Sequence, residues 1–146
     1  MKSDLVFDVT VRGFTPMARG SEMMRKKREL RDGILAKRID IDAFRHLFRG
    51  RRLAAKIRFY LYSGSSQEGR AKKDLDNLMK IVLDTLPDYM DRAHTEKGLG
   101  LMEGDSDELV YEVNAVKELV TDQTKEGIDL ELSEWQPRKT AAVGSR

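Results

Sequence analysis

Lys73-Asp74-Leu75-Asp76-Asn77-Leu78-Met79-Lys80-Ile81-Val82-Leu83-Asp84-Thr85-Leu86-Pro87 is the stretch that decides how this chain folds. Leu75, Leu78, Met79, Val82, Leu83 and Leu86 recur at i, i+3, i+4, i+7, i+8 and i+11. That is the period of one apolar face of an α-helix beginning near Asp74, and Pro87 stops it. On either side the period changes from helical to alternating. Upstream, Leu53 to Tyr62 places Ile57, Phe59 and Leu61 on one face and Lys56, Arg58, Tyr60 and Tyr62 on the other, a strand with a sheet interior on one side. Downstream, residues 87–104 form a polar, glycine-containing connection. It leads to a strand from about Glu108 to Leu119, with Leu109, Tyr111 and Val113 on one face, and to another from Ile128 to Leu132.

The N-terminal third completes the pattern. Leu5, Phe7, Val9 and Val11 alternate with Asp8, Thr10 and Arg12, and Gly13 and Pro16 end that strand. Residues 17–40 are basic. Met23, Leu30 and Ile34 give a weak helical pattern that Gly33 interrupts. Asp42 is an N-cap candidate for a short helix over 42–48, which Gly50 can end. The order strand, helical region, strand, helix, strand, strand reads as an α/β layer fold in the α+β sense: one domain, with a small mixed sheet of about four strands covered by helices. The domain is expected over residues 1–135, with a polar tail over 136–146.

A length of 146 residues suits one domain with a real core. The chain has no cysteine, which removes disulfides, thiolate zinc sites and cysteine nucleophiles and is compatible with a reducing cytosol, the expected compartment. No apolar run is long enough to span a membrane, and the alternating N-terminus is unlike a signal peptide. Charge is distributed unevenly. Residues 1–73 hold 19 Lys and Arg against 8 Asp and Glu, and residues 74–146 hold 8 against 17, net charges of +11 and −9. One half could hold a polyanion and the other divalent cations, or the two could neutralise each other in one globule.

The chemistry-bearing residues cluster in two places. Asp74 and Asp76 sit at a helix start, and Asp76 and Lys80, four apart, share a helix face opposite the apolar stripe. Read locally, Asp74 could be an N-cap, Asp76 a first-turn dipole partner and Asp76–Lys80 an ordinary ion pair. The second cluster, Glu103-Gly104-Asp105-Ser106-Asp107-Glu108, precedes the third strand. It could be a solvated acidic loop, and its spacing does not fit an EF-hand. Carboxylates on two separate elements are what a hard cation such as Mg²⁺ requires. Of the two histidines, His46 sits among Phe44, Leu47 and Phe48 and reads as structural or surface, while His94 lies in a polar loop with no evident partner. No Ser-His-Asp arrangement or phosphate-binding glycine loop is apparent. Trp135 reads as a packing residue.

Asp74-Leu75-Asp76-Asn77-Leu78-Met79-Lys80 followed by Val82-Leu83-Asp84-Thr85-Leu86 resembles the D-x-D-N-x-x-K signature of the RusA family of Holliday junction resolvases. Gly100 to Ser106 is similar to that family's second motif, a glycine and apolar pair leading to D-D-S. Gly13, Pro16 and Arg19 are similar to its N-terminal element. Gly104 stands where the family has the first aspartate of the D-D pair, and residues 17–40 and 88–98 are longer than the family pattern.

The resemblance implies a homodimeric, Mg²⁺- or Mn²⁺-dependent endodeoxyribonuclease that resolves four-way junctions in DNA recombination and repair. In that expectation Asp74, Asp76 and Asp105 hold the metal, Lys80 is the catalytic lysine, and Arg70, Lys72 and Lys73 bind DNA beside the acidic motif. Arg25-Lys26-Lys27-Arg28 offers a second basic patch or a solvated helix face. The alternatives are an inactive RusA-like DNA-binding protein and a module whose acidic half binds a basic protein partner.

Overall fold

The computed structural model describes residues 5–16, 22–62 and 75–137. Along the chain these form β1 (Val6–Arg12), α1 (Met23–Lys37), α2 (Ile41–Phe48), β2 (Leu53–Tyr62), α3 (Leu75–Leu83), β3 (Val110–Val120) and β4 (Gly127–Glu134), with a short 3-10 turn at Gln123–Lys125. The strands make one mixed sheet in the order β1-β4-β2-β3. β4 pairs antiparallel with both β1 and β2, whereas β2 and β3 are parallel and joined through α3. The expected small mixed sheet covered by helices is therefore the observed α+β fold. Of the expected tail, residues 138–146 lie outside the described residues. No helix among the described residues is long and apolar enough to cross a membrane.

Strand alternation sets the two faces of the sheet. Phe7, Leu53, Ala55, Ile57, Phe59, Leu61, Ile128, Leu130 and Leu132 are buried on the inner face. Asp8, Thr10, Arg12, Lys56, Arg58, Asp129 and Glu131 line the outer one. There Asp129 accepts from Thr10 Oγ1 at 2.8 Å and from the Tyr60 hydroxyl at 2.9 Å. Burial alone would raise the Asp129 carboxyl, but these two bonds and the Arg12 guanidinium bring it below its ordinary value. The outer face is thus a self-satisfied polar layer.

The helices close the inner face. In α2, Phe44 meets Phe7 edge-on at 5.1 Å. This helix begins at Ile41 and not after Asp42: Asp40 holds the N-cap position without a side-chain cap, and Asp42, in the first turn, pairs with Arg45 at 2.6 Å. α1 is a full 15-residue helix despite Gly33. Its buried residues are Lys26, Lys27, Leu30 and Ile34, so half of the inward stripe is lysine, which is why the apolar pattern looks weak. Gly33 is there for close approach: a Cβ would lie 3.0 Å from Val11 Cγ1.

β3 departs from the expected alternation. Val110 pairs with Leu53 and Glu112 with Ala54, so Tyr111 is an extra residue at a bulge. Val113 and Ala115 continue the inner face, while Tyr111 is 50% exposed. The connection after α3 is also more structured than a polar linker. Leu99 N–H donates to Thr85 O at 2.7 Å and Leu101 N–H to Leu86 O at 2.8 Å. The side chains of Leu86, Leu99, Leu101 and Met102 join the core.

Candidate functional site

α3 sorts its side chains sharply. Leu78, Ile81 and Val82 are fully buried, and Asp76, Asn77 and Lys80 are exposed. A helix whose inner side is this well packed has little freedom to rock, so the backbone that carries these polar groups is held in place. Asp76 and Lys80 share that face but form no ion pair with each other. Asp74, Arg70, Lys72 and Lys73, the other residues assigned from this motif, lie outside the described residues.

Asp105 is positioned by contacts that local sequence does not announce. Gly104 has φ +81°, the left-handed region that glycine enters without strain. Its carbonyl accepts from Tyr89 N–H at 3.0 Å, and its N–H donates to Asp88 Oδ2 at 3.3 Å. The place where the RusA pattern has an aspartate is thus a turn that favours glycine. One residue on, Asp105 Oδ2 lies 3.1 Å from His94 Nε2. The His94 ring stacks on Tyr89, with centroids 4.3 Å apart and planes 6° from parallel. His94 itself has φ +60°, a sparsely populated conformation for a residue with a side chain.

Asp91 holds the loop around His94, accepting from Thr95 N–H at 3.0 Å, Glu96 N–H at 3.1 Å and the Thr95 hydroxyl. The Thr95 hydroxyl, and then those N–H groups, keep the Asp91 carboxyl below its usual value against a modest burial effect. His94 is therefore the residue that the sequence left without a partner and the fold supplies with two. No spacing signal could have found this, since the contact spans a loop of irregular backbone.

Carboxylates alone make an oxygen donor set that suits a hard divalent cation. Of the three aspartates expected to supply it, Asp76 and Asp105 are described. Among the described residues no group of three or more His, Asp or Glu lies close enough to hold a metal ion. Asp74, the third, lies outside the described residues.

The two basic stretches of the N-terminal half differ. On α1, Lys27 Nζ is buried against Asp84 Oδ2 at 2.8 Å, and Lys26 is buried with its ammonium over the Phe14 ring at 5.0 Å. Arg28 makes a two-pronged pair with Glu96. That run ties α1 to α3 and to the 87–104 connection, so its lysines are not a free phosphate patch. By contrast, Arg45, His46 and Arg49 at the end of α2 line an open cleft of about 560 Å³ with Tyr89 and Lys97. Arg49 donates to both oxygens of Asp88 at 3.0 Å and, with the Gly104 N–H, holds that carboxyl below the usual range against a partial burial effect. Comparison with protein-family models and with curated proteins finds no match to this chain.

Proposed function

We propose that this chain is a metal-dependent endodeoxyribonuclease acting on branched DNA, four-way junctions in the first instance, as the RusA resemblance suggests. The observation that carries the reading is the α3 face. Asp76, Asn77 and Lys80 stand together in solvent on a helix whose opposite side is fully buried. Charged side chains are not needed there for packing, and a carboxylate and an ammonium on one face are groups that phosphodiester hydrolysis can use. Asp74, Asp76 and Asp105 would hold Mg²⁺ or Mn²⁺, and the ion would supply an activated water and charge neutralisation at the phosphate.

The chain's own groups have separable roles. Lys80 carries positive charge toward the phosphate or its leaving oxygen. His94 orients Asp105 as outer-shell partners orient ligating carboxylates. Cutting both strands of a junction symmetrically asks for two copies of the site, hence a homodimer.

A second reading, a DNA-binding scaffold without cleavage, is favoured by one observation: Gly104, at φ +81°, stands where the RusA pattern has the first aspartate of its pair. The separating experiment is cleavage of a labelled immobile four-way junction and a matched duplex, with Mg²⁺, Mn²⁺ or EDTA, by wild type and Asp76→Asn. Metal-dependent paired cuts in the junction alone are expected. The variant should cut on the order of 100-fold more slowly or worse, as loss of one electrostatic contact at a reacting centre does. It should bind as tightly or tighter, because a repelling charge is gone. Binding without cutting by wild type would establish the scaffold, and undiminished cutting by Asp76→Asn would remove this site.

A further inference from the structure

The bulge that turns Tyr111 outward builds something besides an irregular strand. Its ring lies 5.0 Å from the Trp135 ring, tilted by 50°, and the Arg52 guanidinium sits 5.2 Å from its centroid. The Trp135 backbone N–H donates to Arg52 O at 2.7 Å, which fixes the main chain beneath the ring. The pair borders a cleft of about 590 Å³ that Arg49, Arg51 and Arg52 also line. Arg49 lines the neighbouring cleft with Arg45 and Lys97 as well, so the two open spaces meet at one side chain. Together they bring five Lys and Arg side chains against three carboxylates, Asp42, Asp88 and Glu134. The second cleft reaches Tyr89, whose ring stacks on His94 beside Asp105.

We propose that this end of the sheet is a contact surface for unpaired DNA, with an unstacked base lying on the Tyr111–Trp135 pair and the flanking phosphates meeting Arg51 and Arg52. A partly exposed aromatic pair edged by guanidinium groups matches a single strand, whose bases have free π-faces beside a chain of negative charge. A duplex hides its bases and could use only the arginines. An acidic peptide would likewise leave the half-exposed Tyr111 ring idle. The direction of the track, from the platform through Arg49 toward Asp105, rests on the nuclease reading above; the platform itself does not. Near a branch point, bases at the junction would be the ones offered to it.

Trp135 is the only tryptophan in the chain, so its emission reports directly from the platform. The experiment is titration of the full chain with a 15-mer of oligodeoxythymidine, a matched duplex and polyglutamate, reading Trp135 fluorescence across a salt series. Oligodeoxythymidine is expected to quench the emission and to bind more tightly than duplex. Tyr111→Ser should weaken binding by roughly tenfold, the loss expected when one base loses its stacking partner, and Tyr111→Phe should retain it. Arg51→Ala with Arg52→Ala should reduce the slope of log affinity against log salt by about 1.4, two phosphate contacts on a single strand. Thermal melts of each variant separate these losses from unfolding, and the salt slope of Arg51→Ala with Arg52→Ala remains decisive if Tyr111→Ser unfolds.

No quenching by oligodeoxythymidine, or quenching by polyglutamate alone, would overturn the proposal. Quenching without any junction cleavage would leave the surface standing and remove the nuclease. Junction cleavage indifferent to Tyr111, Arg51 and Arg52 would do the reverse.

Discussion

Arg25–Arg28 on α1 and Arg45–Arg52 at the end of α2 each carry four Lys or Arg, yet the fold treats them in opposite ways. In the first, Lys26 and Lys27 are 7% exposed and serve as struts: an ammonium against Asp84, another over Phe14. In the second, Arg45, Arg49, Arg51 and Arg52 edge open clefts beside aromatic rings. The difference teaches that a run of cations is a binding surface only where the fold leaves it unburied and groups it with something a ligand can use. Lysine makes good struts because its four-carbon stem packs like an aliphatic side chain, while the head needs one partner. Arginine at a rim keeps donors free for a second acceptor even when one carboxylate is already bound.

Three measurements sharpen or break this contrast. The largest effect on stability should come from Lys27→Ala. It strands Asp84 at the α1–α3 contact and should cost about 2–3 kcal/mol in urea unfolding. That is below the full cost of breaking a buried pair, because Asp84 is 28% exposed. Its affinity for DNA at a temperature where it is folded should be unchanged; lost DNA binding with unaltered stability would erase the distinction between the runs. Next comes Arg28→Ala, which removes the pair to Glu96. Faster hydrogen exchange in residues 94–97 is expected, with no change in the salt dependence of binding; a reduced salt slope would return Arg28 to the DNA surface.

The smallest effect is at Arg49–Asp88. The exposed pair should contribute about 0.5–1 kcal/mol. Asp88 has a depressed folded-state value, so this contribution is present above the unfolded carboxyl pKa of about 4 and is lost as pH falls below it. Urea unfolding of wild type and Arg49→Ala should therefore differ at pH 7, and the gap should narrow progressively as pH falls below about 4. A gap that does not narrow would mean that the contacts of Arg49 to the Gly100 carbonyl and to the cleft wall outweigh the ion pair.

Much of the fold was legible before the structure, and the reasons it was legible are specific. β1, β2 and β4 alternate because one face is core and the other is a polar layer, and α3 shows a helical stripe because one side is fully buried. α1 was faint because its inward stripe contains two lysines whose partners, Asp84 and Phe14, are distant in the chain. Tyr111 was placed on one face with Leu109 and Val113 because alternation cannot foresee a bulge. Within the candidate site, Asp76 and Lys80 were placed on an exposed helix face from spacing alone, as the structure has them. The His94–Asp105 contact was invisible: nothing local distinguishes a histidine in a polar loop from one aimed at a carboxylate.

Periodicity is a property of neighbours along the chain, so the sequence by itself was enough to establish four strands, the long α3 stripe, a mixed layer fold and the side of α3 on which its charges stand. Register, burial of charge and convergence of distant side chains depend on which elements touch, and only the tertiary structure decided those. It buried Lys27, bulged Tyr111 out against Trp135, and turned His94 onto Asp105, because each of these is settled by a partner more than ten residues away whose position no local pattern encodes.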